Sequence, residues 1–249
     1  MGEWTRREVV RTIAGVAGAG AWAMGTGGCA AAVAPWVWKP REEALLAAVA
    51  APLVIPPVGD PDAALLRDRA REIAPGVDLV LLERKMRAAL EESGGVGLAA
   101  PQVGVSVRAI LVMLDARGEA PRTIWCVNPR IVRRSDALQD DIEGCLSIPD
   151  VSGLVRRNLE LRVAWCDGEQ DVELDVSGFD ARIFQHEIDH LDGVLFTDRL
   201  VGPPASTAAL RPLREELQRR REQGLVGDVL TPDQIADLWT AAASTDRLP

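Results

Sequence analysis

Gln185-His186-Glu187-Ile188-Asp189-His190-Leu191-Asp192-Gly193 is the stretch whose reading decides this chain. On a helix of about 3.6 residues per turn, His186 and His190 stand one turn apart on the same face. Both imidazoles can then reach one metal ion, with Glu187 beside them to move a proton. The same spacing also describes an ordinary polar helix face. The chain has 249 residues and only two histidines, both within this segment, which favours the metal-site reading.

Two histidines leave a ligand to find, because a catalytic metal site uses three protein ligands and an open position, whereas a structural zinc site is closed by four. No downstream histidine exists, so the best donor is Cys145 in Glu143-Gly144-Cys145-Leu146-Ser147. Cys126 and Cys166 lie in apolar segments and read as small buried residues. A third segment, Gly95-Val96-Gly97-Leu98-Ala99-Ala100-Pro101-Gln102, has glycines that let a ligand approach the backbone. Its Gln102 amide can donate a hydrogen bond to a developing oxyanion.

Together the three segments resemble the peptide deformylase family, which is recognised by GxGLAAPQ, EGCLS and QHExDHLxG in that order. The likeness runs from about residue 55 to residue 200. It implies one divalent ion held by Cys145, His186 and His190, with Glu187 as acid/base and with Gln102 and the Leu146 backbone N–H at the oxyanion. Fe2+ is the family's usual ion, and the sequence does not separate it from Zn2+, Ni2+ or Co2+. The implied reaction is hydrolysis of the formamide of N-formylmethionyl peptides or nascent polypeptides to give formate. Val96, Gly97 and Gly144 would contact an extended peptide, and Phe179 and Ile183 would line an apolar side-chain pocket unless they are plain core. Residues 178–185 look most like the organellar branch of the family. Two other readings stay open: a non-catalytic formyl-peptide or metal-binding protein of the same fold, and a zinc endopeptidase. Intact Glu187 and Gln102 argue against the first, and the Cys145 segment argues against the second.

Outward from these segments, apolar spacing predicts helices over 42–51, 78–93, 178–191, 208–223 and 232–243. Short runs rich in β-branched residues predict strands at 109–114, 124–128, 159–166 and 172–176. Strands followed by helices indicate an α+β fold, with short, mostly antiparallel strands packed around the helix that carries the two histidines.

Residues 1–38 read as a leader. Thr5-Arg6-Arg7-Glu8-Val9-Val10-Arg11 resembles a twin-arginine export signal, and Cys29 follows small residues as in a lipoprotein site. A linker at 39–52, a catalytic domain at 53–204 and a helical C-terminal extension at 205–249 complete the expected organisation. Export to the periplasm or to a membrane surface is expected, with cytoplasmic residence as the alternative. Membrane contact is expected only through the leader or a lipidated Cys29. A net charge of -9 disfavours general affinity for nucleic acid.

Overall fold

The computed structural model describes residues 36–47, 61–167 and 170–245. Residues 1–35 of the expected leader, with Arg6, Arg7 and Cys29, lie outside the described residues, as do residues 48–51 of the helix expected over 42–51. Five helices are described: α1 (Pro40–Ala47), α2 (Val80–Ser93), α3 (Gly178–Leu191), α4 (Thr207–Glu222) and α5 (Pro232–Thr245). The strands are β1 (Gly97–Ala99), β2 (Ala109–Leu114), β3 (Arg122–Arg134), β4 (Leu138–Cys145), β5 (Ile148–Asn158), β6 (Glu160–Cys166), β7 (Asp171–Ser177) and β8 (Ala205–Ser206). One sheet has the order β1-β2-β3-β6-β7 and a second the order β4-β5-β8, with every neighbouring pair antiparallel. The chain thus has the α+β class expected.

Both faces of the larger sheet are covered, which explains why β2 reads as an unbroken apolar run, Ala109-Ile110-Leu111-Val112-Met113-Leu114. Successive side chains in a strand point to opposite faces. Ala109 and Leu111 therefore pack with Leu82 and Met86 of α2, while Ile110 and Val112 pack with Phe184 and Ile188 of α3. Burying a leucine or isoleucine this fully is worth about 1.5–3 kcal/mol, so a few such positions fix the helices on the sheet.

The second sheet holds the third cluster. Ile142 of β4 and Leu154 of β5 pack against Leu213 and Leu217 of α4 and against Leu238 of α5. The C-terminal segment is therefore packed against the strands that lead into Cys145. Its first residues pair with β5, Val151 opposite Ser206 and Ser152 opposite Ala205.

Several segments differ from the sequence expectation, among them β5, a strand where none was expected. The glycine-rich turn contains strand β1, and the Glu143–Ser147 segment is the end of β4 followed by a two-residue turn at Leu146 and Ser147. The strand expected at 124–128 runs on to Arg134, past Asn128-Pro129. There Asn128 adopts φ 50°, and its amide bonds both the N–H and the C=O of Ile73, at 2.9 and 2.8 Å. Asparagine tolerates this left-handed conformation, and the irregular register after Val127 absorbs it.

Candidate active site

Three elements converge on one cleft. α3 enters directly from β7 at Gly178, whose φ of 57° suits a residue without Cβ and whose N–H donates to Leu159 O at 2.8 Å. That start sets the phase of the helix, so that His186, Glu187 and His190 face the β1 and β4 side. β4 delivers Cys145 at its end, where the register with β5 shifts between Gly144 and Cys145. Such irregularities re-aim a side chain and terminate pairing. The turn after β1 then places Gln102.

Cys145, His186 and His190 present their donor atoms within 4.8 Å of one another, and Cys145 Sγ lies 3.3 Å from His190 Nε2. Tetrahedral coordination with bonds of about 2.0–2.3 Å sets ligand atoms roughly 3.5 Å apart, so this group is able to hold one transition-metal ion. His186 Nδ1 is 3.0 Å from a Glu143 oxygen, which leaves its Nε2 for the ion. One thiolate with two imidazoles suits Fe2+ or Zn2+ better than a hard cation.

Glu143 is held in turn by two buried arginines. Arg157 donates to both its oxygens at 2.9 Å, and Arg182 donates to one at 2.7 Å. Burial alone would raise this carboxyl, but Arg157 and His186 overcome it and hold the group well below the usual carboxylate range. Arg157 also bonds Asp189, which Arg199 grips from the other side. The helix that carries the histidines is thereby tied to β4 and β5. Burial disfavours charge on both imidazoles. For His186 the contacts with Cys145 and Glu143 win and raise its pKa, whereas for His190 burial and the neighbouring His186 lower it.

Glu187 sits beside this group and is buried, with Oε2 lacking a hydrogen-bond partner, and burial pushes its carboxyl up to about 7. Gln102 is fixed from one end: its Oε1 accepts the Ala99 N–H at 2.8 Å, so its Nε2 points at Ser147 Oγ (3.2 Å) and Cys145 Sγ (3.6 Å). An amide held this way is a donor aimed at the cleft.

The structure brings the expected residues together. Val96, Gly97, Gln102, Gly144, Cys145, Leu146, Phe179, Ile183, His186 and Glu187 all line the cleft, with His190 directly behind Cys145. Ile183 is nearly inaccessible and Phe179 half-buried, so each serves the core and the cleft wall at once. The side-chain pocket expected to be apolar also contains Arg182 and Arg214 in its lining. Sequence reading left out Glu143 and Arg157 as orienting groups, and Arg214 altogether. Glu143 could have been found, since it stands two residues before the cysteine, whereas Arg157 and Arg214 carry no local signal.

Residues 54–204 match the polypeptide deformylase family. The chain belongs to that family. A peptide deformylase of Desulforudis audaxviator is 44% identical over 140 residues, which cover 54% of this chain and 86% of the relative. Peptide deformylase 2 of Gloeobacter violaceus is 41% identical, with 60% of this chain and 79% of that one covered. Among solved structures, the class I type b peptide deformylase of Acinetobacter baumannii bound to Met-Ala-Ser superposes with a TM-score of 0.53 at 34% identity, covering 59% of this chain and 98% of that chain. A Synechococcus elongatus peptide deformylase in complex with actinonin gives a TM-score of 0.55 at 35% identity, covering 61% and 80%. The family is metal-dependent, in keeping with the cysteine and histidine group.

Proposed function

We propose that this deformylase-family chain removes the formyl group from N-formylmethionyl peptides, releasing formate, with Cys145, His186 and His190 holding one divalent ion. A single observation carries the reading. Glu187, with its carboxyl near 7, lies in one cleft with the cysteine and histidine group and with the fixed Gln102 amide. The Met-Ala-Ser bound to the Acinetobacter enzyme is what deformylation of a formyl tripeptide would leave.

When bound, the ion supplies Lewis acidity and a water of lowered pKa. Glu187 takes a proton from the water that attacks the formyl carbon. It passes that proton to the leaving amine nitrogen as the C–N bond breaks, so water is divided between formate and the free amine. A buried carboxyl whose affinity for a proton is raised by desolvation serves as base and then as acid. Gln102 Nε2, with the Leu146 N–H, faces the carbonyl oxygen, where donors help most because negative charge develops only in the transition state. Val96, Gly97 and Gly144 supply backbone for an extended peptide. Fe2+ is the ion proposed, with Zn2+, Ni2+ and Co2+ as alternatives for the same donors. The paired Arg6-Arg7 supports export by a twin-arginine route, with lipidation at Cys29 the means of membrane attachment.

Formate and free amine should appear in equal amounts from formyl-Met-Ala-Ser with anaerobically purified protein, with no cleavage of internal peptide bonds. Internal cleavage would support an endopeptidase, and bound metal without formate a binding protein. Separately, Arg6→Lys with Arg7→Lys should retain the protein in the cytoplasm, and unchanged fractionation would remove the export reading.

A further inference from the structure

Arg214 stands on α4, beyond the residues that match the family, yet its side chain lines the same cleft as His186 and Glu187. One guanidinium nitrogen donates to Ile142 O at 3.1 Å, and its Nε is buried without a partner. Among the described residues no carboxylate pairs with it. Asp141 is an anion whose charge favours the charged form of Arg214, but Asp141 is already engaged by Arg117 at 3.4 Å and by the Ile142 N–H at 2.7 Å. Burial, and then Arg117 and Arg182, act against charge on Arg214.

The other two arginines are committed elsewhere. Arg182 is used by Glu143 and by two carbonyls, and Arg117 lies 3.6 Å over the Phe179 ring. Arg214 is thus the arginine of this group left with open donor capacity. Asp150 also lines the cleft but is exposed, where water screens its charge. A guanidinium short of protein acceptors in a half-buried cleft is completed by water or by a ligand, and an anionic ligand that displaces the water gains a charge-assisted bond.

Reach decides what that ligand is. Ile142 precedes Cys145 by three residues on one strand, a separation of about 10 Å at roughly 3.3 Å per residue. An extended formyl dipeptide or tripeptide with its formyl group at Cys145 spans a similar length. Phe179, Ile183 and Arg214 line one cleft, so a long acidic side chain on the formylated residue is the second source of a carboxylate there.

We propose that Arg214 is a specificity-determining residue that binds a substrate carboxylate, so that the chain favours formylated substrates with an acidic group two to three residues' length from the formyl carbon. The inference rests on the deformylase reading and adds to it a substrate class. The shared chemistry is a carboxylate, whether the free C-terminus of a short peptide or an acidic side chain.

The test compares kcat/KM for formyl-Met-Ala with its C-terminal amide, and for formyl-Glu-Ala-amide with formyl-Gln-Ala-amide, in the parent, Arg214→Met and Arg214→Lys. A charge-assisted contact should favour the acid member of one pair by about ten- to hundredfold in the parent. The ratio should fall toward one in Arg214→Met and be partly restored in Arg214→Lys. The pair that shows the effect identifies the source of the carboxylate. Equal ratios in parent and Arg214→Met overturn the proposal, while turnover of the amides keeps the deformylase reading intact. If no substrate is turned over, that reading fails and binding decides the inference: Met-Ala should bind the parent more tightly than Met-Ala-amide, and Arg214→Met should abolish the difference. Equal binding overturns it.

Discussion

A Cβ placed on Gly97 would stand 2.4 Å from Glu187 Oε1 and 2.9 Å from Ile183 Cγ2, so the β1 backbone is pressed directly against the proposed acid/base. Only hydrogen fits there. Gly97→Ala must displace either the strand or the carboxylate, and a misplacement of about 1 Å can cost on the order of a hundredfold in rate. The expected result is a fall of that size in kcat/KM with bound metal unchanged. Parent-like activity would show that the contact is not needed.

Glu143 connects the metal group to the ion network, and its loss should be felt in both. Glu143→Gln leaves Arg157 and Arg182 without their shared carboxylate, and removing one partner of a buried ion pair typically costs about 3–5 kcal/mol. It also weakens the orientation of His186, for which metal affinity should fall about 10–100-fold. Chemical denaturation and competition with a chelator measure the two effects separately. A loss of stability with metal affinity intact would make Glu143 purely structural.

Gln102 acts as a donor, so its effect should fall on turnover more than on binding. Gln102→Leu removes Nε2 and should lower kcat about 10²–10³-fold, with a smaller change in KM. A loss confined to KM would place Gln102 in substrate binding alone.

The raised carboxyl of Glu187 gives a signed prediction for the metal-free protein. Its folded value of about 7 lies above the unfolded value of about 4.3, so the folded state holds this proton more tightly. The stability it contributes is fully present below about pH 4 and is lost as the pH rises through about 7, roughly 4 kcal/mol in all. Urea titrations should show the parent losing stability relative to Glu187→Gln across that window. Parallel profiles would contradict the buried, proton-holding carboxyl.

Sequence periodicity made α3 legible to the residue because its apolar positions and its two histidines share one helical period, and Gly178 marks its start. β2 was legible because burial on both faces leaves an unbroken apolar run. β4 and β5 were not. Leu138-Gln139-Asp140-Asp141-Ile142-Glu143 looks like a solvated loop, yet Asp140 and Glu143 are buried against Arg156 and Arg157 of the partner strand. Charge pairing across a strand pair gives no apolar alternation to read. The two histidines of the candidate metal group stood out because histidine is so scarce here. The groups that orient them did not, since Arg157 lies 14 residues from Glu143 and 32 from Asp189.

The most direct test of the account is formate release from formyl-Met-Ala-Ser by the parent and Glu187→Ala, prepared anaerobically and matched for bound metal. The account predicts stoichiometric release by the parent and near-complete loss in the variant despite equal metal. Equal release by both would contradict Glu187 as the proton carrier, and no release by a metal-loaded parent would contradict deformylase chemistry itself.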